Sequence, residues 1–451
     1  MLATLAAKLL LALHYDGYLT GDDLEVVESG AKYALGLPYR PWSLRCEFHP
    51  LVLVAPFLVP LRLLRRPPDA ALVTWIAALP TALASTLSIG LLFRLGSLLG
   101  LARRVCAAAA VFYALHWLPL GFGATPYPRP ISSMLMLAAL NLAAEERRFR
   151  PLLGGALIGA AFAVRFSEAV LLAPFLLVAL RTRRSVSTIA LGIAGFVLGA
   201  AICTGGADLL TWGRPFQSLV EYFRIMYPSS AASNPFSERP WGWYATSSLH
   251  WAGPAGVLLV AFALPAREAR VPLALFLTTL LALSAVNYKT YRYVQGAIPF
   301  LALLMAIGWD RAARSAAGWK RAAALTLAVA APAWGIERTV SLLRDESVDA
   351  VAAGHWIRER NPHAAVLEQG WAYGGILVLG EIAVRDLAPR RPLGLRESDL
   401  KGASVAAFYE ADLSSEDRGV LRRSGFAPAA RFARYRKPVL VYRLAVRPFG
   451  R

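Results

Sequence analysis

The chain has 451 residues, 57% of them hydrophobic, and its mean hydropathy of +0.47 excludes an ordinary water-soluble enzyme, whose surface cannot carry that much apolar area. The 48 Lys and Arg outnumber 29 Asp and Glu to give a net charge of +19, but the arginines fall between apolar runs, where they report the orientation of membrane spans and not a nucleic-acid partner. Three widely spaced cysteines (Cys46, Cys106 and Cys203) imply no disulfide framework, and the six histidines form no metal-spaced cluster, so no metal and no cofactor is expected.

In chain order, "MLATLAAKLLLALHYDGY" carries a basic residue and about 13 apolar residues against the roughly 20 that a span needs. It has no small-residue cleavage site and reads as a first anchor, with room for an earlier start. Apolar runs follow near 51–64, 70–93, 105–122, 130–144, 152–165, 168–180, 186–203, 251–265, 271–286, 295–309 and 321–336. The arginine-dense loops 94–104, 145–150, 181–184, 267–270 and 310–321 all face the cytoplasm only if 51–64 does not cross. That segment contains Pro56 and Pro60 and ends in "RLLRRPPD", so it reads as a helix lying in the interface. The expected architecture is therefore an all-α polytopic membrane domain over 1–339 with about 11 transmembrane helices. Its main outer loops are 16–69 and 205–250, with short outer turns at 121–129, 165–168 and 287–293. From 340 the composition changes to a helical stretch followed by short apolar runs in "GILVLGEIAVRDL", "ASVAAFYE" and "KPVLVYRLAV", which predicts a small extracytoplasmic α/β domain over 340–451.

The outer segments hold the residues hardest to explain as membrane packing. Asp16, Asp22, Asp23, Glu25, Glu28 and Glu47 follow the first span, and carboxylates this close to lipid are costly. The pair Asp22 and Asp23 has two readings. It can cap a helix starting at "TGDDLEVVESG", or it can supply a general base that takes a proton from an acceptor hydroxyl while a cation neutralises a departing phosphate. Cations suited to that second task are Arg129, Arg165, Arg214, Arg224, Lys289 and Arg292. Singly, each can instead snorkel or pair with a local carboxylate such as Glu168 or Glu221. Trp212, Trp241, Trp243 and Tyr244 are either an interfacial belt or platforms for sugar faces.

The order of these outer motifs over about residues 10–305 resembles the membrane-embedded GT-C glycosyltransferases, and among them family 22, the α-mannosyltransferases of GPI-anchor and N-glycan assembly. The family's "HPDE" motif looks like "TGDD", with Asp22 and Asp23 kept and Thr20 and Gly21 replacing His and Pro. Trp42 and Arg45 fall where the family has its own Trp and Arg. "PYPRPISS" and "VRFSEA" are similar to two further family turns. "ERPWGWYATSSL" resembles "HPWYWYFT", with Pro240, Trp241, Trp243, Tyr244 and Thr246 in register. "NYKTYRYVQGAIPF" resembles "HKExRFI", keeping Lys289 and Arg292 and replacing His and Glu by Tyr288 and Thr290.

The resemblance implies an inverting transfer of a sugar, typically mannose, from a polyprenyl-phosphate donor to a hydroxyl of a lipid-linked or surface glycan acceptor. By position Asp22 and Asp23 are its catalytic residues. Arg129, Arg165, Lys289 and Arg292 hold the donor phosphate, and Trp42, Arg45, Trp241, Trp243 and Tyr244 shape the substrate site. The expected partners are the polyprenyl-linked donor, the glycan acceptor and membrane lipids. Only six lysines among the basic residues suggest a GC-rich prokaryote, which places the chain in a cytoplasmic membrane with its active site outside. The alternatives are a protein O-mannosyltransferase, an aminoarabinose or pentose transferase, or a lipid or glycan transporter; a transporter favours internal repeats and mid-membrane charges, and no repeat is visible here. The charge pattern makes one direct prediction. In oriented vesicles, Arg147→Cys reacts with an impermeant thiol reagent from the cytoplasmic side alone, and labelling from outside overturns the orientation.

Overall fold

The computed structural model describes the chain except for residues 15–17, 65–68, 146, 148, 183–184, 227–238, 287–288, 346–347, 388–392, 435–436 and 446–451. Asp16 and Tyr288 lie outside the described residues. In an apolar medium the backbone must satisfy its own hydrogen bonds, and the apolar runs accordingly fold as helices. These are α1 (Leu2–His14), α2 (Gly21–Leu35), α3 (His49–Leu63), α4 (Ala70–Leu98), α5 (Arg103–Leu115), α6 (Trp117–Ala124), α7 (Arg129–Ala143) and α8 (Arg150–Val164). They continue as α9 (Leu172–Thr182), α10 (Val186–Trp212), α11 (Gln217–Met226), α12 (Pro254–Ala263), α13 (Arg270–Ser284), α14 (Tyr291–Ala313), α15 (Gly318–Asp345) and α16 (Val348–Glu359).

Three of these, α4, α10 and α14, are long and apolar enough to cross a membrane, and a fourth candidate is the pair α5 and α6, bent by 60° at His116. The count falls short of about eleven because other apolar helices, α1, α8 and α12 among them, have 10–17 residues, under the length that spans a bilayer without tilt or thinning. Almost fully buried, α14 packs on α5, α12, α13 and α15. By contrast α10 is peripheral, with Ile193, Val197, Ile202 and Leu210 exposed, as a lipid-facing surface requires.

At one end of the bundle the arginine-rich loops are tied together. Arg94 and Arg150 reach Glu145 at 2.6 and 3.3 Å, and Arg104 and Arg314 share Asp310, the former at 2.6 Å. Glu268 lines the same cleft as Asp310. The opposite end carries α2, Arg165 at the close of α8 and the start of α14. The segment 49–63 lies against α2 and α4, with Val54, Ala55 and Leu58 packed on Val27, Ala31, Val73 and Ala77.

After α16 a five-stranded sheet forms from β1 (Ala364–Leu367), β2 (Ala383–Asp386), β3 (Val405–Tyr409), β4 (Phe426–Phe432) and β5 (Val439–Leu444), in the order β2-β1-β3-β5-β4. β1 is parallel to β2 and β3, and β5 is antiparallel to β3 and β4. Three local expectations change. The apolar run Gly375–Leu379 is a helical turn, since five consecutive apolar residues fit either period. β4 escapes a pattern search because Pro428 sits at its bulge on the sheet edge. The stretch 205–250 is largely helical where described, through α10, α11 and short turns at 243–251.

Helices α8 and α10 approach each other closely along a run of glycines. A Cβ on Gly155 would meet Gly192 O at 2.0 Å, one on Gly195 would meet Leu152 O at 2.0 Å, and ones on Gly159 and Gly199 would meet backbone oxygens at 2.4 and 2.2 Å. These two helices touch backbone to backbone, the packing that small residues permit in lipid. Gly195→Val therefore lowers the thermal midpoint in detergent by roughly 5–10 °C. Gly206→Val, on the same helix but with nothing within 4 Å, leaves it in place; equal midpoints for both variants would refute the backbone contact.

Candidate active site

Helix α2 is the organising element. Thr20 caps it, its hydroxyl accepting from Asp22 N at 3.2 Å while Asp23 Oδ2 accepts from Thr20 N at 3.0 Å, and Gly36 closes it at φ 80°. The capping role thus belongs to Thr20 and Asp23, and Asp22 is released for another. The spacing of three places Asp22, Glu25 and Glu28 on one face of the helix, and each binds a different part of the chain. Glu25 accepts from Tyr39 Oη and, at 2.6 Å, from Trp42 N; Glu28 Oε1 accepts from Leu377 N at 3.2 Å.

Asp22 gathers arginines from three separate elements. Arg165 Nη1 lies 2.6 Å from its Oδ1, Arg45 Nη2 lies 2.7 Å from the same oxygen, and Arg292 Nη1 lies 3.7 Å from Oδ2. Burial pushes the carboxyl up, but Arg165, Arg45 and Arg292 together outweigh it and hold Asp22 well below the usual carboxylate range. Asp23 goes the other way, raised to about 8 by burial and by the neighbouring Asp22, against the pull of Arg292. Burial also raises Glu25 to about 7 and Glu28 and Glu47 to about 8. A cavity of about 20 Å³ beside Asp22 is lined by Glu25, Arg45, Glu47, His49 and Arg165.

Arg129 does not join the carboxylate cluster. Its guanidinium donates to Glu168, to Ser167 Oγ at 3.0 Å and to Tyr127 Oη at 3.1 Å, and stacks 3.9 Å over the Tyr293 ring. That spends its charge inside the protein and makes it a strut. Arg292 in turn sits 5.8 Å over Tyr127, so Tyr127 and Tyr293 interlock the 127–129 and 292–293 turns. Lys289 Nζ donates to Arg239 O at 3.1 Å, joining its turn to the 239–251 segment. There Trp243 stacks on Tyr291 at 4.8 Å, Tyr244 is buried with its hydroxyl 3.4 Å from Thr290 O, and Trp241 is exposed. Trp42 lies over the start of α2, its Cη2 2.9 Å from where a Cβ on Gly21 would stand. Arg224 pairs with Glu221 on its own helix at 3.6 Å.

Sequence reasoning missed Tyr127, Tyr293, His49 and Trp371. The two tyrosines were signalled by standing within two positions of an arginine in "PYPR" and "YRY". Nothing local marks the other two. Among the described residues no group of His, Cys, Asp and Glu is arranged to hold a metal ion.

A model of the Alg9-like mannosyltransferase family matches residues 39–358, more than two thirds of the chain. The chain belongs to the Alg9-like mannosyltransferase family. It is a membrane glycosyltransferase. No curated protein sequence matches it. The fold is similar to that of ArnT from Cupriavidus metallidurans bound to undecaprenyl phosphate, with a TM-score of 0.61, 15% identity and coverage of 97% of this chain and 96% of that one. It is also similar to the oligosaccharyltransferase AglB from Archaeoglobus fulgidus in complex with an inhibitory peptide and a dolichol-phosphate, with a TM-score of 0.52, 11% identity and coverage of 90% and 69%. At these identities the likeness is one of fold, and that fold is GT-C.

The buried acids give this family member a pH signature. A carboxyl whose folded-state value lies above its unfolded one costs stability as pH rises from the unfolded value to the folded one. The thermal midpoint therefore falls between about pH 4 and pH 8. Asp23→Asn, which keeps an oxygen for the cap, is more stable than wild type near pH 8, by a margin that shrinks near pH 5. A margin independent of pH would overturn the raised Asp23.

Proposed function

We propose that the chain is an inverting mannosyltransferase that takes mannose from a polyprenyl-phosphate donor and passes it to a hydroxyl of a lipid-linked or surface glycan. The reading rests on one observation: a carboxylate at the bundle end opposite the arginine-tied loops, held by Arg45, Arg165 and Arg292 from three elements. Base and phosphate clamp are thus the same cluster. In the resting site the arginines are occupied by Asp22, which makes it a weak base. When the bond from the anomeric carbon to phosphate oxygen breaks, its electron pair leaves with the polyprenyl phosphate and the new negative charge draws the arginines. Asp22 loses part of their pull, its proton affinity rises, and it takes the proton of the acceptor hydroxyl as the new carbon–oxygen bond forms on the opposite face. Asp23 caps α2 and sets the local charge. Lys289 supports the phosphate side, Arg129 braces it through Glu168, and Trp241, Trp243 and Tyr244 flank the sugar.

On this reading about eleven helices cross the membrane, α2 and the segment 49–63 lie outside, and residues 340–451 form an extracytoplasmic domain beside a 1–339 catalytic domain. The alternation required by the basic loops favours an outward site, and the scarcity of lysine among the basic residues favours a prokaryotic cytoplasmic membrane. A second reading, transfer of aminoarabinose or a pentose, draws on the whole-chain fold likeness to ArnT. Purified protein in nanodiscs, given polyprenyl-phosphate mannose with a labelled sugar and a membrane-lipid extract, separates these. Wild type moves label to a new lipid or glycan; Asp22→Asn loses at least about a thousandfold in rate while retaining donor binding. Unchanged turnover removes Asp22 as the base, and transfer from another polyprenyl-linked sugar in place of mannose selects the second reading.

A further inference from the structure

We propose that Trp371, from the loop after β1, forms with Trp42 an aromatic platform for the sugar ring of the acceptor. This rests on the transferase reading above, and Trp371 lies beyond the 39–358 stretch that matches the family. A Cβ built on Gly21 would meet Trp42 Cη2 at 2.9 Å and Trp371 Cδ1 at 3.7 Å. Both indoles therefore converge on the residue next to Asp22, one peptide or about 3.8 Å of backbone away. Trp42 is 38% exposed and Trp371 is half-buried, so each packs by one part and offers the rest to a ligand.

The convergence is built. Glu25 fixes the Trp42 backbone at 2.6 Å and Glu28 fixes Leu377 N at 3.2 Å, one helical turn apart. Gly374 and Gly375 take φ of 92° and 57°, a region that favours glycine. A Cβ on Gly375 would stand 2.3 Å from Glu28 Oε1, so only glycine lets this loop approach α2 so closely. Trp371 also packs on both the α2 core and the sheet core, which ties its position to the sheet. An indole next to a base that deprotonates a hydroxyl suits a pyranose, whose apolar face stacks on the ring while its hydroxyls reach the carboxylate. Gly21 itself leaves the space both indoles occupy.

The test compares Trp371→Phe with Trp371→Leu, both of which keep an apolar side chain against Gly21. The substrates are labelled polyprenyl-phosphate mannose and a dilution series of the membrane-lipid fraction that wild type glycosylates. The Leu variant raises the acceptor KM roughly tenfold, Phe stays within about twofold, and neither changes the donor KM or the slow hydrolysis of donor by water. An unaltered acceptor KM in a Leu variant that folds and transfers sugar overturns the platform alone. Absence of transfer by wild type from every polyprenyl-linked sugar overturns the transferase reading and the platform with it. Hydroxyl-radical footprinting of wild type needs no variant: the lipid fraction lowers oxidation of Trp371 and the donor alone does not, whereas equal oxidation with and without the fraction overturns the proposal.

Discussion

The carboxylate of Asp22 and the three guanidinium groups around it are the interaction on which the rest of this structure depends. Four charged groups gather at a buried point, where each alone would be too costly to desolvate. Their mutual attraction makes the cluster tolerable, but only if the elements that carry them are held rigidly. Arg45 comes from the loop after α2, Arg165 from the end of α8 and Arg292 from the start of α14. Much of the remaining architecture is bracing for these three. The pair Arg129 and Glu168 fixes the turn beyond Arg165, the crossed contacts of Arg129 with Tyr293 and of Arg292 with Tyr127 lock the turn of Arg292 to the 127–129 turn, and the glycine seam between α8 and α10 holds the helix that delivers Arg165.

One face of α2 carries the logic further. Asp22, Glu25 and Glu28 repeat every three residues and receive, in turn, the arginines, the Trp42 loop and the loop after β1. A single amphipathic turn-by-turn stripe thus joins the charge centre of the membrane bundle to the C-terminal sheet. The raised values of Glu25, Glu28 and Glu47 follow chiefly from burial, with a smaller push from neighbouring acids, and they separate these residues from Asp22, which three arginines surround. Adjacent aspartates with opposite behaviour are a consequence of helix geometry: Asp23 points back to cap Thr20, and Asp22 points across to the arginines.

The membrane character, the helical class, the C-terminal sheet and the family were legible in the sequence, because hydropathy, basic loops and ordered motifs are written locally. Asp22, Arg165 and Arg292 stood out for one reason: charges beside apolar runs on the side that the arginine rule leaves poor in cations need an explanation. The commitment of Arg129 to Glu168 was not legible as a choice, since residues 39 apart pair only after α7 and the 166–171 turn are placed together. Trp371 sits 350 positions from Gly21, and only tertiary structure brings it there. Gly375–Leu379 was misread as a strand because five apolar residues carry no period that distinguishes strand from helix. Three helices, or four with the α5 and α6 pair, are long and apolar enough to cross by length and composition, because several of the other apolar helices are shorter than the bilayer the sequence reading assumed.

That shortness has a bearing on how a lipid-borne substrate meets this enzyme. The helix α8 that ends at Arg165 has 15 residues, about 22 Å at 1.5 Å per residue, against a hydrocarbon layer of about 30 Å. It stands in a bundle whose membrane-length apolar helices, α4, α10 and α14, have 29, 27 and 23 residues, and lipids beside the shorter helix must tilt or compress to match its apolar height. Arg165 closes this short helix, so the cation 2.6 Å from Asp22 stands at the thin side of the bundle. For a lipid-linked donor of the kind proposed above, a thinned rim brings the phosphate on its prenyl chain closer to this arginine than a bilayer of full thickness does.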